Sequence, residues 1–147
     1  MRYSISIYRE KRVQGRFKMR TPWGQSDGQK QIIKGVTEVF TPRHGGIYLS
    51  PERVKQLPAF VTTEHNFLGS LAWWEEDCDW AIPFICFADE IGAKHPERAS
   101  SINAAWQTVL SYHPALHERL VDHFLRNVTT VTPVTDDSEL ILANRDF

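Results

Sequence analysis

Eight consecutive residues, Trp73-Trp74-Glu75-Glu76-Asp77-Cys78-Asp79-Trp80, bring together four carboxylates, a thiol and three indoles. Carboxylates this close repel one another, and they need water, a basic partner, a metal or a shared proton. Indoles beside such charge have the composition of many protein-interface hot spots. As a strand, the segment would turn Glu75, Asp77 and Asp79 to one side and Glu76, Cys78 and Trp80 to the other. A solvated acidic loop is the plainest reading. A protein interface and a catalytic site are the sharper ones.

A second candidate is the loop Thr41-Pro42-Arg43-His44-Gly45-Gly46. Adjacent glycines let the backbone turn sharply or approach a ligand, and His44 could act there as a base or a ligand. A tight turn steadied by His44 is the simpler alternative. Neither phosphate-cradling glycine pattern occurs in the chain. Cys78 and His44 could form a nucleophile–base pair, oriented by Glu76, Asp77 or Asp79. The surrounding carboxylates work against it, because they raise the thiol's pKa. His113 and His117 have the i, i+4 spacing of helix-borne zinc ligands, with Glu118, Asp122 and His123 nearby, but the HExxH arrangement is missing. They read first as structural histidines. Cys86, inside an apolar run, reads as a small core residue. No metal or cofactor is assigned.

These groups must be positioned by surrounding elements. Residues 2–9 alternate as a half-buried strand, and Lys11–Arg20 continues as strand or loop. Thr21–Gly24 makes a turn, Gln25–Gln31 a polar loop, Ile32–Phe40 a strand with Ile33, Val36 and Val39 buried, and Ile47–Leu49 a short strand. Ser50-Pro51-Glu52 opens a helix that Pro58 keeps short. A brief helix follows at Thr63–Phe67. Ala81–Ala88, apolar around Pro83, reads as an edge or bulged strand. Pro96–Tyr112 and the segment from Pro114 to Leu125 have helical spacing and form a hairpin broken near His113. Thr129–Val134 and Glu139–Leu142 have strand character. The expectation is a single α+β domain over 1–147, a mostly antiparallel sheet with a C-terminal helical hairpin packed on it in two layers.

At 147 residues and 41% apolar, the chain can bury one real core. No apolar run is long enough to span a bilayer, so a cytoplasmic protein with no membrane partner is expected. Two cysteines are too few for a disulfide framework and read as reduced thiols. Residues 1–34 carry nine Lys or Arg against two acidic residues, while residues 35–147 carry eight against sixteen. With no basic surplus over the whole domain, direct nucleic-acid binding is disfavoured. The acidic part suits a basic protein surface better.

The pieces Thr21-Pro22-Trp23-Gly24, Gly35-Val36, Thr41–Gly46, Leu49-Ser50, Pro58 and Glu75–Trp80 resemble a family of uncharacterised domains in bacterial, plasmid and phage proteins. The resemblance covers roughly residues 21–90 and leaves the helical pair at 96–126 and the tail at 127–147 outside. It implies an association with mobile genetic elements in a bacterial host cytoplasm and lends weight to His44, Glu75, Glu76 and Asp77. It implies no catalytic role.

The resulting expectation is a mobile-element-encoded inhibitor of a bacterial defence system, such as an anti-CRISPR. It would bind a host protein or defence ribonucleoprotein and block its nucleic-acid-binding surface. The binding set is Trp73, Trp74, Glu75, Glu76, Asp77, Asp79, Trp80, Asp89, Glu90 and His44. One alternative is a small hydrolase or other enzyme using His44 with Glu75, Glu76, Asp77 and Cys78, with or without a metal. A structural or accessory domain is another, and a homodimer stays open.

Overall fold

The computed structural model describes residues 18–64 and 70–126. The expected strands at 2–9, 129–134 and 139–142 lie outside the described residues, as does most of Lys11–Arg20.

A small hairpin of β1 (Arg20–Thr21) and β2 (Gly24–Gln25) comes first, with the expected turn at Pro22-Trp23. The main sheet is antiparallel, in the order β3 (Gly28–Ile33), β4 (Val36–Phe40), β5 (Gly45–Leu49) and β6 (Trp73–Glu75). Helices α1 (Pro51–Gln56) and α2 (Ala59–Glu64) join β5 to β6. After β6 come α3 (Ala81–Cys86), α4 (Ala88–Lys94), a 3₁₀ turn at Pro96–Arg98, α5 (Ala99–Tyr112), α6 (Pro114–Val121) and a π-helical turn at Asp122–Arg126. The fold is α+β, with helices at the C-terminal end as expected.

Alternation along the strands decides what faces the helices. Val36, Ile47, Leu49 and Trp74 join a buried cluster with Leu57 and Val61, with Ile82, Phe84 and Ile85 of α3, with Ile91, and with Val109, Leu116 and Leu120 of the last two helices. Glu38 lies on the same inward face, paired in register with Ile47. Ser50 caps α1, its Oγ accepting from the Arg53 N–H, and Pro51 occupies the first turn. The chain then leaves the helix at Leu57, ahead of Pro58. Among the described residues no helix is long and apolar enough to cross a membrane.

Several expectations are corrected. Gln25–Gln31 is not a loop throughout, since β3 starts at Gly28. Gln29 and Gln31 pair with Val39 and Thr37, and a strand needs only its backbone and one suitable face. Ile32–Phe40 is two strands rather than one, divided at Lys34-Gly35, where Gly35 has a φ of 82° that a residue with a Cβ adopts at a cost. Gly45 and Gly46 belong to β5; the turn before them is closed by Thr41, whose N–H and hydroxyl both donate to the His44 carbonyl. The second short helix begins at Ala59, not Thr63, and residues 65–67 of the expected helix lie outside the described residues. Ala81–Ala88 is helical, not a strand. A short apolar run has no periodicity to separate a buried strand from a buried helix. Pro83 is tolerated because it stands in the first turn of α3, where its missing N–H has no helical partner to lose.

Candidate functional site

The acidic segment is a strand only as far as Glu75. Glu75 pairs with Gly46, Trp74 with Ile47 and Trp73 with Tyr48, and the chain then turns. The Glu76 N–H donates to the Gly45 carbonyl at 2.9 Å, and the Trp80 N–H to the Glu75 carbonyl at 2.9 Å. The Glu75 side chain folds over the same turn, its Oε1 accepting from the Cys78 N–H at 2.9 Å. The expected alternation of Glu75, Asp77 and Asp79 against Glu76, Cys78 and Trp80 is therefore absent. The turn places groups by its own geometry.

It sorts the carboxylates into two sets. Glu75 Oε1 and Asp79 Oδ1 each lie 3.5 Å from Cys78 Sγ. Asp79 Oδ1 is also 3.6 Å from Nε2 of His113, the residue between α5 and α6. Glu76, nearly buried, meets exposed His44 instead, with Oε1 3.9 Å from Nδ1. Asp77 is half-buried on the turn. The two acids on α4 are used differently. Asp89 is exposed, whereas Glu90 takes a two-pronged contact from Arg53 on α1, at 2.8 and 2.9 Å.

Burial, together with Asp79 and Glu75, pushes the Cys78 thiol up to about 12, and burial alone does the same for Cys86. Neither side chain is a ready thiolate near neutral pH. A nucleophilic relay also needs a line, with imidazole between sulfur and carboxylate. Here Asp79 Oδ1 touches both Cys78 Sγ and His113 Nε2, which makes a triangle. The histidine gathered with Cys78 is His113 rather than His44, and His117 sits elsewhere, edge-on to Trp106 at 5.7 Å. The geometry gathers a thiol, a carboxylate and an imidazole without the line that a relay needs.

The indoles divide as well. Trp74 and Trp80 are each 1% exposed and belong to the core; Trp74 Nε1 donates to the Leu71 carbonyl at 2.8 Å, and Trp80 packs edge-on to Phe84. The expectation that three tryptophans anchor one surface reduces to Trp73. That ring is half-buried on the sheet's outer face, with Tyr48 at 4.8 Å and Trp23 at 5.9 Å between centroids. Trp23 reaches across from the β1–β2 hairpin to cover Gly46, whose lack of a Cβ leaves room for it.

Two parts of the site escape a reading of the sequence. Trp23 and Tyr48 are one, and the available signal is that Tyr48 alternates with buried Ile47 and Leu49. The other is the buried pair of Glu38 and Arg98, joined at 2.9 Å with side chains 0% and 3% exposed. Glu38 stands at an inward position between Val36 and Phe40, where a carboxylate demands a partner.

A small α+β domain with an aromatic outer sheet face and a thiol–carboxylate–imidazole cluster is thus the class of protein defined here. Residues 16–135 match the family described as "Domain of unknown function (DUF7007)", and the chain belongs to that family. The match takes in the helical pair that the motif resemblance leaves outside. No curated protein and no solved structure matches the chain.

Proposed function

We propose that the protein is a binding module that docks on a partner protein through the outer face of β5 and β6 and the acidic turn after them. The observation that carries this reading is Trp73 flanked by Tyr48 and Trp23 on the sheet face away from the helices. Half-buried aromatic rings held in place by one another lose little side-chain entropy on binding and bury large areas. Glu75 at the end of β6 and Asp77 on the turn after it favour a partner with basic side chains. The finer assignment is a mobile-element-encoded inhibitor of a bacterial defence complex, of the anti-CRISPR kind. There the carboxylates would occupy positions otherwise taken by phosphates. It draws on the motif resemblance and on the sign of the charge.

The test compares the full chain with Trp73→Ala and Asp77→Lys in affinity capture from a bacterial lysate carrying active defence systems. Candidates are then measured as purified proteins. A stoichiometric partner weakened about 30-fold by Trp73→Ala, the loss of an anchor worth about 2 kcal/mol, supports the reading. Capture that is identical for all three proteins, each shown to be folded by circular dichroism, removes it.

A further inference from the structure

Cys78 and Asp79 come from the turn between β6 and α3, and His113 comes from the junction of α5 and α6, more than thirty residues along the chain. The fold brings one donor atom from each within 4.8 Å of the other two. The edges from Asp79 Oδ1 are 3.5 Å to Cys78 Sγ and 3.6 Å to His113 Nε2, and Glu75 Oε1 is 3.5 Å from the same sulfur. Around a tetrahedral zinc ion, with bonds of about 2.0–2.3 Å, neighbouring donors stand roughly 3.3–3.7 Å apart. The two edges from Asp79 Oδ1 already have that length, and the third lies within 4.8 Å.

We propose that Cys78, Asp79 and His113 bind one divalent cation of the zinc class, with Glu75 as a charged neighbour on the sulfur side. The donor types decide the class. Magnesium and calcium take oxygen ligands in larger numbers, whereas a set with sulfur and imidazole nitrogen selects a borderline-soft ion. Two carboxylate oxygens stand at the same distance from this sulfur, so the negative charge that a divalent cation favours is already gathered around the thiol. On binding, the S–H bond breaks, its proton leaves to solvent, and the thiolate electron pair forms the metal–sulfur bond. Both carboxylates then face positive charge.

With three protein ligands, the fourth position is left to water. The ion would tie the end of the sheet to the α5–α6 junction, two regions distant in sequence. This role shares the turn after β6 with the docking reading, while the aromatic face of β5 and β6 takes no part in it.

The experiment uses the full chain, stripped with chelator and checked by circular dichroism and urea unfolding. Zinc binding is then followed by calorimetry, and cobalt binding by absorption. We expect one zinc per chain, competition by cobalt, and a sulfur-to-cobalt charge-transfer band. Cys78→Ser and His113→Gln should each weaken zinc by about 100-fold or more, beyond the 10–100-fold typical of an outer-shell partner. Cys86→Ser, His44→Ala and His117→Ala should bind as wild type does. No zinc uptake in molar excess overturns the proposal, as does unchanged affinity in Cys78→Ser and His113→Gln. Should either variant fail to fold, the wild-type cobalt spectrum decides: absence of the sulfur band overturns the site.

Discussion

Replacing Arg98 by methionine isolates the most consequential polar contact in the core. Arg98 stands in the 3₁₀ turn that leads into α5, and it donates through one terminal nitrogen to Glu38 Oε1 at 2.9 Å. Methionine keeps much of the buried stem and removes the cation, leaving a carboxylate with 0% exposure in the middle of β4. Removing one partner of a buried pair costs about 3–5 kcal/mol, because the remaining charge stays buried without the group that neutralised it. For a chain of this length that lowers the melting midpoint by roughly 6–20 °C. The assay is urea unfolding, read as a shift in midpoint at constant slope. The double variant Glu38→Gln, Arg98→Met should recover part of the loss, since an unpaired buried amide costs less than an unpaired buried carboxylate.

The pH dependence has a definite sign. Burial holds the Glu38 carboxyl above its ordinary value of 4.5, with Arg98 and Lys30 pulling the other way. A carboxyl raised in the folded state keeps a proton that the unfolded chain releases, so stability falls as pH rises from about that ordinary value. Loss of Arg98 strengthens the effect. The gap between wild type and Arg98→Met should be widest near neutrality and close below the ordinary carboxyl range. A loss under about 1 kcal/mol at neutral pH, or a gap that does not change with pH, refutes this account of the pair.

Other outcomes follow from single contacts. Gly46→Ala would put a Cβ inside contact distance of the Trp74 carbonyl oxygen and the Trp23 ring, and should cost about 1–3 kcal/mol in urea unfolding. Its Trp23 fluorescence environment should change as well. Zinc at about 100 times its dissociation constant should stabilise the stripped chain by about 2.7 kcal/mol, seen as a raised melting midpoint that Cys78→Ser abolishes. Glu90→Gln should cost about 0.5–1 kcal/mol at neutral pH and low salt. Arg53 holds the Glu90 carboxyl below its ordinary value, so that cost should vanish as acid protonates the wild-type side chain.

What could be read from the sequence follows the reach of each signal. Ser50-Pro51 and Pro58 bound α1 because caps and prolines act within one turn. The α5–α6 pair shows because long helices repeat their apolar faces. Pro83 misleads, since the same residue suits a bulged strand or a first helical turn, and only packing chooses. The acidic run was legible as a place where chemistry could sit, but not in its partners. His113 reaches Asp79 through the packing of α5 on α3, a contact that no local spacing encodes, and the i, i+4 relation to His117 points the wrong way.

The Glu75–Trp80 segment therefore serves two structural demands at once. Its first half must extend the sheet, which fixes Trp73 outward beside Tyr48 and Trp74 inward over the helices. Its second half must reverse the chain into α3, and Glu75 closes that turn by accepting from the Cys78 N–H. The closing bond is also what holds one carboxylate over the Cys78 sulfur, while the step into α3 turns Asp79 toward His113. A substitution at Glu75 consequently touches the turn and the cluster together, whereas one at Trp73 touches only the outer face. Glu75→Gln separates the two roles: the amide oxygen can still accept from Cys78 and keep the turn, but it carries no charge for a cation. If the cluster is a metal site, that variant should keep wild-type stability without zinc and lose part of the zinc-dependent gain. If the carboxylate serves the turn alone, zinc-dependent and zinc-free stability should both be unchanged.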